Sequence, residues 1–463
     1  MKTSIWWIRR DLRLADNQAL KGALDNSKQV LPVFILDPTL LESQSKCKAR
    51  IGFLFASLRI LDGNLKERGN KLIVRKGNPK QVLEELVSES GAEGIFAERD
   101  VSPYARSRDE TVASSIPLKL IPGLMVHPPE DIKKLDGSPY TIYTPFSRAW
   151  QRAGRPDHLI PAPDYIPTVS GIYSEDIPSE PGFPFLDIFP AGEGEGQRRL
   201  DEFSRATIDH YHEQRDRVDL DGTSGLSPYL RFGLVSIRQA SLAAWEAIER
   251  TSMDCSAQGA ETWLNELIWR EFYNSILYHF PFVKDGPFRA KYQRITWRNN
   301  QDEFARWKEG TTGYPVVDAA MRQLLHTGWM HNRARMITAS FLTKDLLIDW
   351  RWGEKWFMQN LLDGDLAANN GGWQWVAGTG TDAAPYFRIF NPTMQGKKFD
   401  PKGIYVKQWV PELVNIPEEF IHEPWKMNSQ QQRESGCQIG KDYPQPIVEH
   451  DMARQRTLRA YKI

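Results

Sequence analysis

The sequence predicts two architectures in one chain: an α/β N-terminal domain built on a parallel, Rossmann-like sheet, and an all-α C-terminal domain. Three observations predict it. Over the first 130 residues, short runs rich in Val, Ile and aromatics alternate with stretches of helical spacing. A long Pro-, Gly- and Ser-rich segment follows, and from residue 197 onward strand signals fade while helical periodicity dominates. The length, 463 residues, also exceeds the roughly 250–300 residues at which single hydrophobic cores stop growing.

Residues 4–8, 30–36, 71–75 and 94–97 read as strands, and residues 17–24, 50–66, 79–88 and 105–114 as the helices between them. Strand–helix alternation favours a parallel sheet covered on both faces, with ligands outside the carboxyl ends of its strands. The α/β domain is therefore expected over 1–130 and an interdomain linker over 131–196, where PAPDYIP, IPSEPGFP and AGEGEG occur. Gly192, Gly194 and Gly196 follow no strand signal and open no βαβ unit, which argues against a phosphate loop there. Helical spacing over 261–278, 318–325, 334–347 and 355–362 places the all-α domain at 197–463.

The N-terminal apolar run, Ile5–Ile8, is only four residues long, and no stretch approaches a membrane span, so a soluble cytoplasmic protein without a membrane partner is expected. Cys47, Cys255 and Cys437 lie far apart, and no CxxC or HExxH spacing suggests a metal, so reduced thiols and no metal are expected. Net charge is zero. From Trp263 to Val410, however, 19 Lys and Arg face 14 Asp and Glu, a mild excess that an ordinary solvated surface explains without nucleic acid. Sixteen tryptophans are more than core packing ordinarily asks for.

Four segments carry residues that chemistry could use. In TWLNELIWREFY, Trp263, Glu266, Trp269, Arg270 and Tyr273 fall along one helical face and could hold a flat, polar-edged ligand; taken in isolation, a helix packed by aromatics, with Glu266 and Arg270 as an i,i+4 pair, is the plainer reading. In GWMHNRARMITASF, Asn332, Arg335 and Met336 share a face, and a buried Arg there needs an acidic partner or a ligand anion. In DGDLAANNGGWQW, two glycines interrupt a helical run at about 1 kcal/mol each, a cost tolerated where a backbone or ligand approaches closely. Asp363, Asp365 and Asn369 could bind the edge of a heterocycle, whereas a surface turn at Asn370–Gly371 would leave Trp373 and Trp375 unexplained. GTSGLSPYLRFG offers hydroxyls and backbone N–H groups suited to an anion, or merely a helix cap.

Together with RRDLRLADN, TGYPVVDAAMRQL, FLTKDLLIDW and RIFNP, these segments resemble, in order and over essentially the whole chain, the photolyase and cryptochrome family, specifically class I cyclobutane pyrimidine dimer photolyases. The resemblance implies that the all-α domain binds FAD. Tyr211, Thr223, Ser224, Gly225, Leu226 and Ser227 would hold its diphosphate and sugar side. Asp363, Gly364 and Asp365 would contact the flavin region, Arg335 would pair with Asp363, and Asn369 would face the flavin N5. Glu266, Trp269, Asn332, Met336 and Trp375 would receive a dimer flipped out of UV-damaged DNA, the two indoles stacking on it. Arg270, Arg333 and Gln395, with Lys397 and Lys398, would contact the strand without reading sequence. Trp297, Trp350 and Trp373 match the family's electron relay. The implied reaction is light-driven electron transfer from reduced flavin to the dimer and back, a lyase reaction without net redox change. Phe34, Asp37, Arg50 and Asp100 resemble a pocket for an antenna chromophore, 8-hydroxy-deazaflavin or FMN rather than methenyltetrahydrofolate. A monomer is expected.

Three alternatives stand beside this. A cryptochrome-type light receptor of the plant kind usually carries Asp where this chain has Asn369, and extends further. A (6-4) photolyase relies on two histidines where this chain has Asn332 and Met336. A dark flavin oxidoreductase needs a nicotinamide site, and no GxGxxG follows a strand signal.

Overall fold

A computed structural model describes residues 1–42, 47–179, 187–251 and 257–462; Cys255 lies outside them. The chain packs as two compact units, one formed by Met1–His212 with Ser224–Pro281 and the other by Glu213–Thr223 with Phe282–Ile463.

The first unit contains a five-stranded, all-parallel sheet: β1 Thr3–Ile8, β2 Gln29–Leu36, β3 Ile73–Lys76, β4 Ile95–Glu98 and β5 Leu118–Ile121, in the order β3-β2-β1-β4-β5. Ile5 of central β1 pairs with Leu31 on one side and Ile95 on the other. Every residue of β1 is buried, as expected of a strand covered on both faces, which reads as a continuous apolar run rather than an alternation. The intervening helices begin where short polar side chains can cap them. Asn17 accepts from the Leu20 amide ahead of Gln18–Asn26, and Asn78 accepts from Lys80 and Gln81 ahead of Pro79–Ser90. β5 is the strand that sequence reading missed; its four residues, LKLI, lie half-exposed at the sheet edge and present too short a pattern.

The expected boundaries at 130 and 196 do not coincide with this division. Residues 224–281 pack in the first unit, and the supposed linker contains the helix Tyr143–Arg152, with Phe146, Ser147 and Trp150 buried. Glu271, fully buried on the helix Gln258–His279, fixes that segment: its carboxylate accepts from Trp150 Nε1 at 2.8 Å and from the Val126 amide at 2.7 Å. Burial pushes Glu271 upward, and the Trp150 bond opposes this.

The second unit is helical. Pro315–Thr327, Asn332–Ser340, Trp350–Asn360 and Leu366–Ala377 surround a core that includes Trp307, Trp350, Phe357 and Trp373. Asn332–Ser340 runs into a π-helical turn, Phe341–Asp345, that carries Lys344. Lys344 is buried; its Nζ donates to Ala377 O at 2.8 Å and lies 3.8 Å from the ring centroid of Tyr461, whose hydroxyl donates to the same carbonyl at 2.8 Å. Burial alone lowers Lys344 to about 7. The adjacent Asp345 pairs instead with His450 Nδ1 at 2.6 Å, on the helix His450–Ala460.

Candidate functional site

The helix Leu366–Ala377 continues through Gly371 and Gly372, so the alternative of a surface turn at Asn370–Gly371 is not realised. Asp365 starts it, accepting from the Ala368 amide at 3.1 Å. A polar ladder then holds it in place. Buried Asn370 donates to Val283 O at 3.1 Å and to Glu354 Oε1 at 2.9 Å, and Gln374 Nε2 donates to Val283 O, Gly286 O and Asn370 Oδ1 at 2.9–3.1 Å. Asn369 Nδ2 donates to Glu354 O at 3.1 Å, so its Oδ1 is the group left to accept. Burial pushes Glu354 up to about 7, against the Asn370 bond.

Two features of this helix region are not explained by the chain's own packing. Arg335 Nη2 donates to Asp363 Oδ2 at 2.8 Å, the pair the resemblance implies, yet Asp363 Oδ1 is buried and has no hydrogen-bond partner among the described residues. Such an atom costs about 1–3 kcal/mol unless something supplies a donor. A Cβ at Gly372 would meet nothing within 4 Å, so no neighbouring backbone requires the glycine. A planar ligand carrying N–H donors, filling the open space beside Gly372, fits both features and the free Asn369 Oδ1. The residues present therefore suit a flavin.

In the same unit, Trp373 and Trp350 are buried in the core, and Trp297 packs at its margin, edge-on to Tyr461 at 6.1 Å. Trp373 occupies the space that Gly353 leaves: a Cβ there would stand 2.1 Å from its Cη2. Asn332 is exposed, with Nδ2 3.8 Å from the Sδ of half-buried Met336, and Trp375 is half-buried. Arg333 has internal partners, donating to Asp216 at 2.7 Å and lying 4.6 Å over Phe399, so a phosphate would have to compete for it. Gln395 is half-buried on the helix Pro392–Phe399; Lys397 pairs with Glu423 at 2.7 Å, and Lys398 is exposed. Thr223 also belongs to this unit.

In the first unit, the helix Gln258–His279 divides the face on which five residues were expected. Trp263 is buried against Phe203 at 5.0 Å and serves the core, whereas Glu266, Trp269, Arg270 and Tyr273 remain partly accessible. Arg270 Nη1 donates to Leu124 O at 3.0 Å. Trp269 stacks face to face on Tyr143, with centroids 3.7 Å apart and planes 2° from parallel. Tyr211 is buried with its ring edge-on to Phe203 at 5.8 Å. Ser224 accepts from the Leu226 amide at 3.4 Å, Gly225 takes a left-handed φ of 58°, and Ser227 begins the helix Ser227–Phe232. Gly364 lies in the other unit, in the loop before Asp365.

Of the antenna residues, Phe34 lies near the carboxyl end of β2, Asp37 and Asp100 lie just beyond the ends of β2 and β4, and Arg50 lies in the first turn of Lys48–Lys66. Asp37 caps a short helix and accepts from the Tyr104 hydroxyl, while Asp100 accepts from the Ser102 amide at 2.8 Å and faces Arg10 at 3.4 Å. Arg10 helps hold Asp100 down to about 2 against its burial.

Sequence reading passed over Glu354, Asn370, Gln374, His331 and Tyr143. The i,i+4 spacing of Asn370 and Gln374 was a usable signal; Glu354 sits in an ordinary amphipathic pattern and offered none. His331 is buried at the start of Asn332–Ser340, where its Nδ1 accepts from the Arg333 amide at 3.1 Å, and burial lowers it to about 4. Among the described residues there is no group of three His, Cys, Asp or Glu placed to hold a metal, and no helix is long and apolar enough to cross a membrane.

Residues 4–164 match the family model described as DNA photolyase, and residues 263–463 that described as the FAD binding domain of DNA photolyase. The deoxyribodipyrimidine photo-lyase of Escherichia coli is 42% identical, with 100% of this chain and 99% of that protein covered. A class III photolyase from Agrobacterium tumefaciens superposes with a TM-score of 0.93 at 37% identity, covering 100% and 97%. A cryptochrome from Synechocystis superposes at 0.91 with 30% identity, covering 99% of each chain. Sequence and structure agree that the chain belongs to the DNA photolyase family.

Proposed function

We propose that this protein binds FAD and repairs cyclobutane pyrimidine dimers in DNA under blue light. The observation that carries the reading is the unsatisfied Oδ1 of Asp363 beside a helix whose Gly372 face is bare. Arg335 and Asp363 would hold the ring system's polar edge, with Gly364 and Asp365 alongside. Tyr211, Thr223, Ser224, Gly225, Leu226 and Ser227 would hold the diphosphate and sugars. Bound and reduced, FAD would supply the light-driven electron. Asn369, anchored through Nδ2 on Glu354 O, presents an acceptor and adds no charge. Glu266 hydrogen-bonds the dimer, Trp269 and Trp375 stack on it, Asn332 and Met336 line its pocket, and Trp297, Trp350 and Trp373 pass electrons inward. Arg270, Arg333 and Gln395 position the strand.

The choice of lesion rests on the turn 331–336. Asn332 and Met336 offer no imidazole, and His331, buried and spending its Nδ1 on a backbone amide, is neutral near pH 7, so the acid that (6-4) chemistry asks for is missing there. A light-receptor role is the second reading, favoured by the likeness to the Synechocystis cryptochrome. The functional division follows 1–130 for the antenna module and 197–463 for FAD and DNA, and the antenna is a deazaflavin or FMN held near Asp37 and Asp100. The protein acts as a soluble cytoplasmic monomer of the class I kind.

Incubating a dimer-containing oligonucleotide with the reduced holoprotein, under blue light and in darkness, tests the central reading. Restoration confined to the illuminated sample is expected. No restoration under light, with FAD bound, would leave the receptor reading in its place. Chromophores extracted from the purified protein identify the antenna.

A further inference from the structure

We infer that Tyr143 is a positioning residue for Trp269: it covers one indole face and fixes the ring, so that a damaged base can stack only on the other. This rests on the reading that Trp269 stacks on the dimer.

The geometry is that of a clamp. The two rings lie 3.7 Å apart and within 2° of parallel, closer and flatter than the offset or edge-on arrangements aromatic pairs usually adopt. Tyr143 is itself held on two further sides. Its hydroxyl donates to Asn265 O at 2.9 Å and lies 3.1 Å from Asn265 Oδ1, one helical turn before Trp269. Phe272 presents an edge to both partners, at 5.9 Å to Tyr143 and 5.6 Å to Trp269. Tyr143 opens the helix Tyr143–Arg152, whose Phe146 and Trp150 are buried, so the clamp is anchored in the core. Trp269 nevertheless remains partly accessible.

An indole that is free to change rotamer loses that freedom when it stacks on a ligand, a cost of about 0.5–1.5 kcal/mol for each side chain immobilised. Tyr143 imposes the loss during folding and leaves a preformed platform. Ring-to-ring support, rather than the hydroxyl alone, does the positioning, because the stack covers the indole face while the hydroxyl only steadies Tyr143. The same clamp limits the site to one stacked base on this side: an intercalating second ring would have to displace Tyr143.

The test measures dissociation constants of the holoprotein in darkness for a duplex with one thymine dimer and for the undamaged duplex of the same sequence. Tyr143→Leu should weaken binding of the damaged duplex by about 2- to 10-fold, with undamaged binding unchanged, so the discrimination ratio falls. Tyr143→Phe, which keeps the ring, should stay within about 2-fold of the parent. An unchanged ratio in Tyr143→Leu would overturn the inference, as would an equal loss on both duplexes, which marks general disruption. Trp269→Leu separates this inference from the reading beneath it. If Trp269→Leu abolishes discrimination and Tyr143→Leu does not, only the clamp fails. If Trp269→Leu leaves discrimination intact, dimer stacking on Trp269 fails and the clamp with it.

Discussion

Replacing Lys344 with Met removes an ammonium group that has no carboxylate partner among the described residues: its contacts are the Ala377 carbonyl at 2.8 Å and the face of Tyr461 at 3.8 Å, while neighbouring Asp345 is turned to His450. Burial takes Lys344 from its ordinary 10.5 to about 7. At about 1.4 kcal/mol for each tenfold change in proton affinity, keeping the charge inside costs about 4–5 kcal/mol when the folded lysine is protonated. The hydrogen bond and the cation–π contact return about 1 kcal/mol each, so the Met variant should be more stable by about 2–3 kcal/mol at pH 6. The pH dependence follows from the direction of the shift. Between about pH 7 and the ordinary lysine value, the unfolded chain holds a proton that the folded chain has released, so wild-type stability rises with pH across that window. The variant's advantage should therefore be full below pH 7, vanish near about pH 9 and turn into a deficit by about pH 10. Denaturant midpoints of both proteins, followed by tryptophan fluorescence at pH 6 and pH 10, measure this, and other titrating groups largely cancel in the comparison. A stability difference that does not change with pH would refute the buried-charge account. A variant already weaker at pH 6 would show that capping the Leu366–Ala377 helix outweighs the desolvation.

Three further outcomes are expected. Gly353→Ala would place its Cβ 2.1 Å from Trp373 Cη2 and 2.6 Å from Leu342 Cδ2, so it should destabilise by about 1–3 kcal/mol and alter the near-UV circular dichroism; an unchanged spectrum and midpoint would show that Trp373 has room to move. Arg335→Gln strips buried Asp363 of its ion pair, and because the Arg335 side chain is 26% exposed the loss should fall near or below the low end of the roughly 3–5 kcal/mol seen for fully buried pairs, with FAD lost on gel filtration; full retention of FAD and stability would contradict this. Asn369→Asp loses the N–H that donates to Glu354 O at 3.1 Å and sets a carboxylate against that carbonyl, so the stable redox state of bound flavin should change; identical flavin spectra through photoreduction would count against the role of Asn369.

What could be read from the sequence, and what could not, follows from the range of the interactions involved. β1 and β2 announce themselves because both are long, apolar and β-branched; β5 has four residues and half-exposed side chains. The helix Tyr143–Arg152 was hidden by the prolines and glycines around it, and what orders it is Glu271, more than a hundred residues away, which bonds Trp150. Helical periodicity grouped Trp263 with Trp269, but only packing against Phe203 and Tyr143, respectively, separates a core residue from an accessible one. Glycines in DGDLAANNGGWQW drew attention to the helix Leu366–Ala377. Glu354, which accepts from both Asn369 and Asn370 there, could not be found without the fold.

The bare face at Gly372 bears on how long the protein survives in a cell. A helix that gives up about 1 kcal/mol to leave the space at Gly372 open is weaker alone than with its ligand, and a ligand present at a thousand times its dissociation constant restores about 4 kcal/mol. Newly made chains that outnumber the available flavin should open more often at this helix and be degraded first. The standing amount of protein, set in the dark before any photon arrives, should then track the cell's flavin supply.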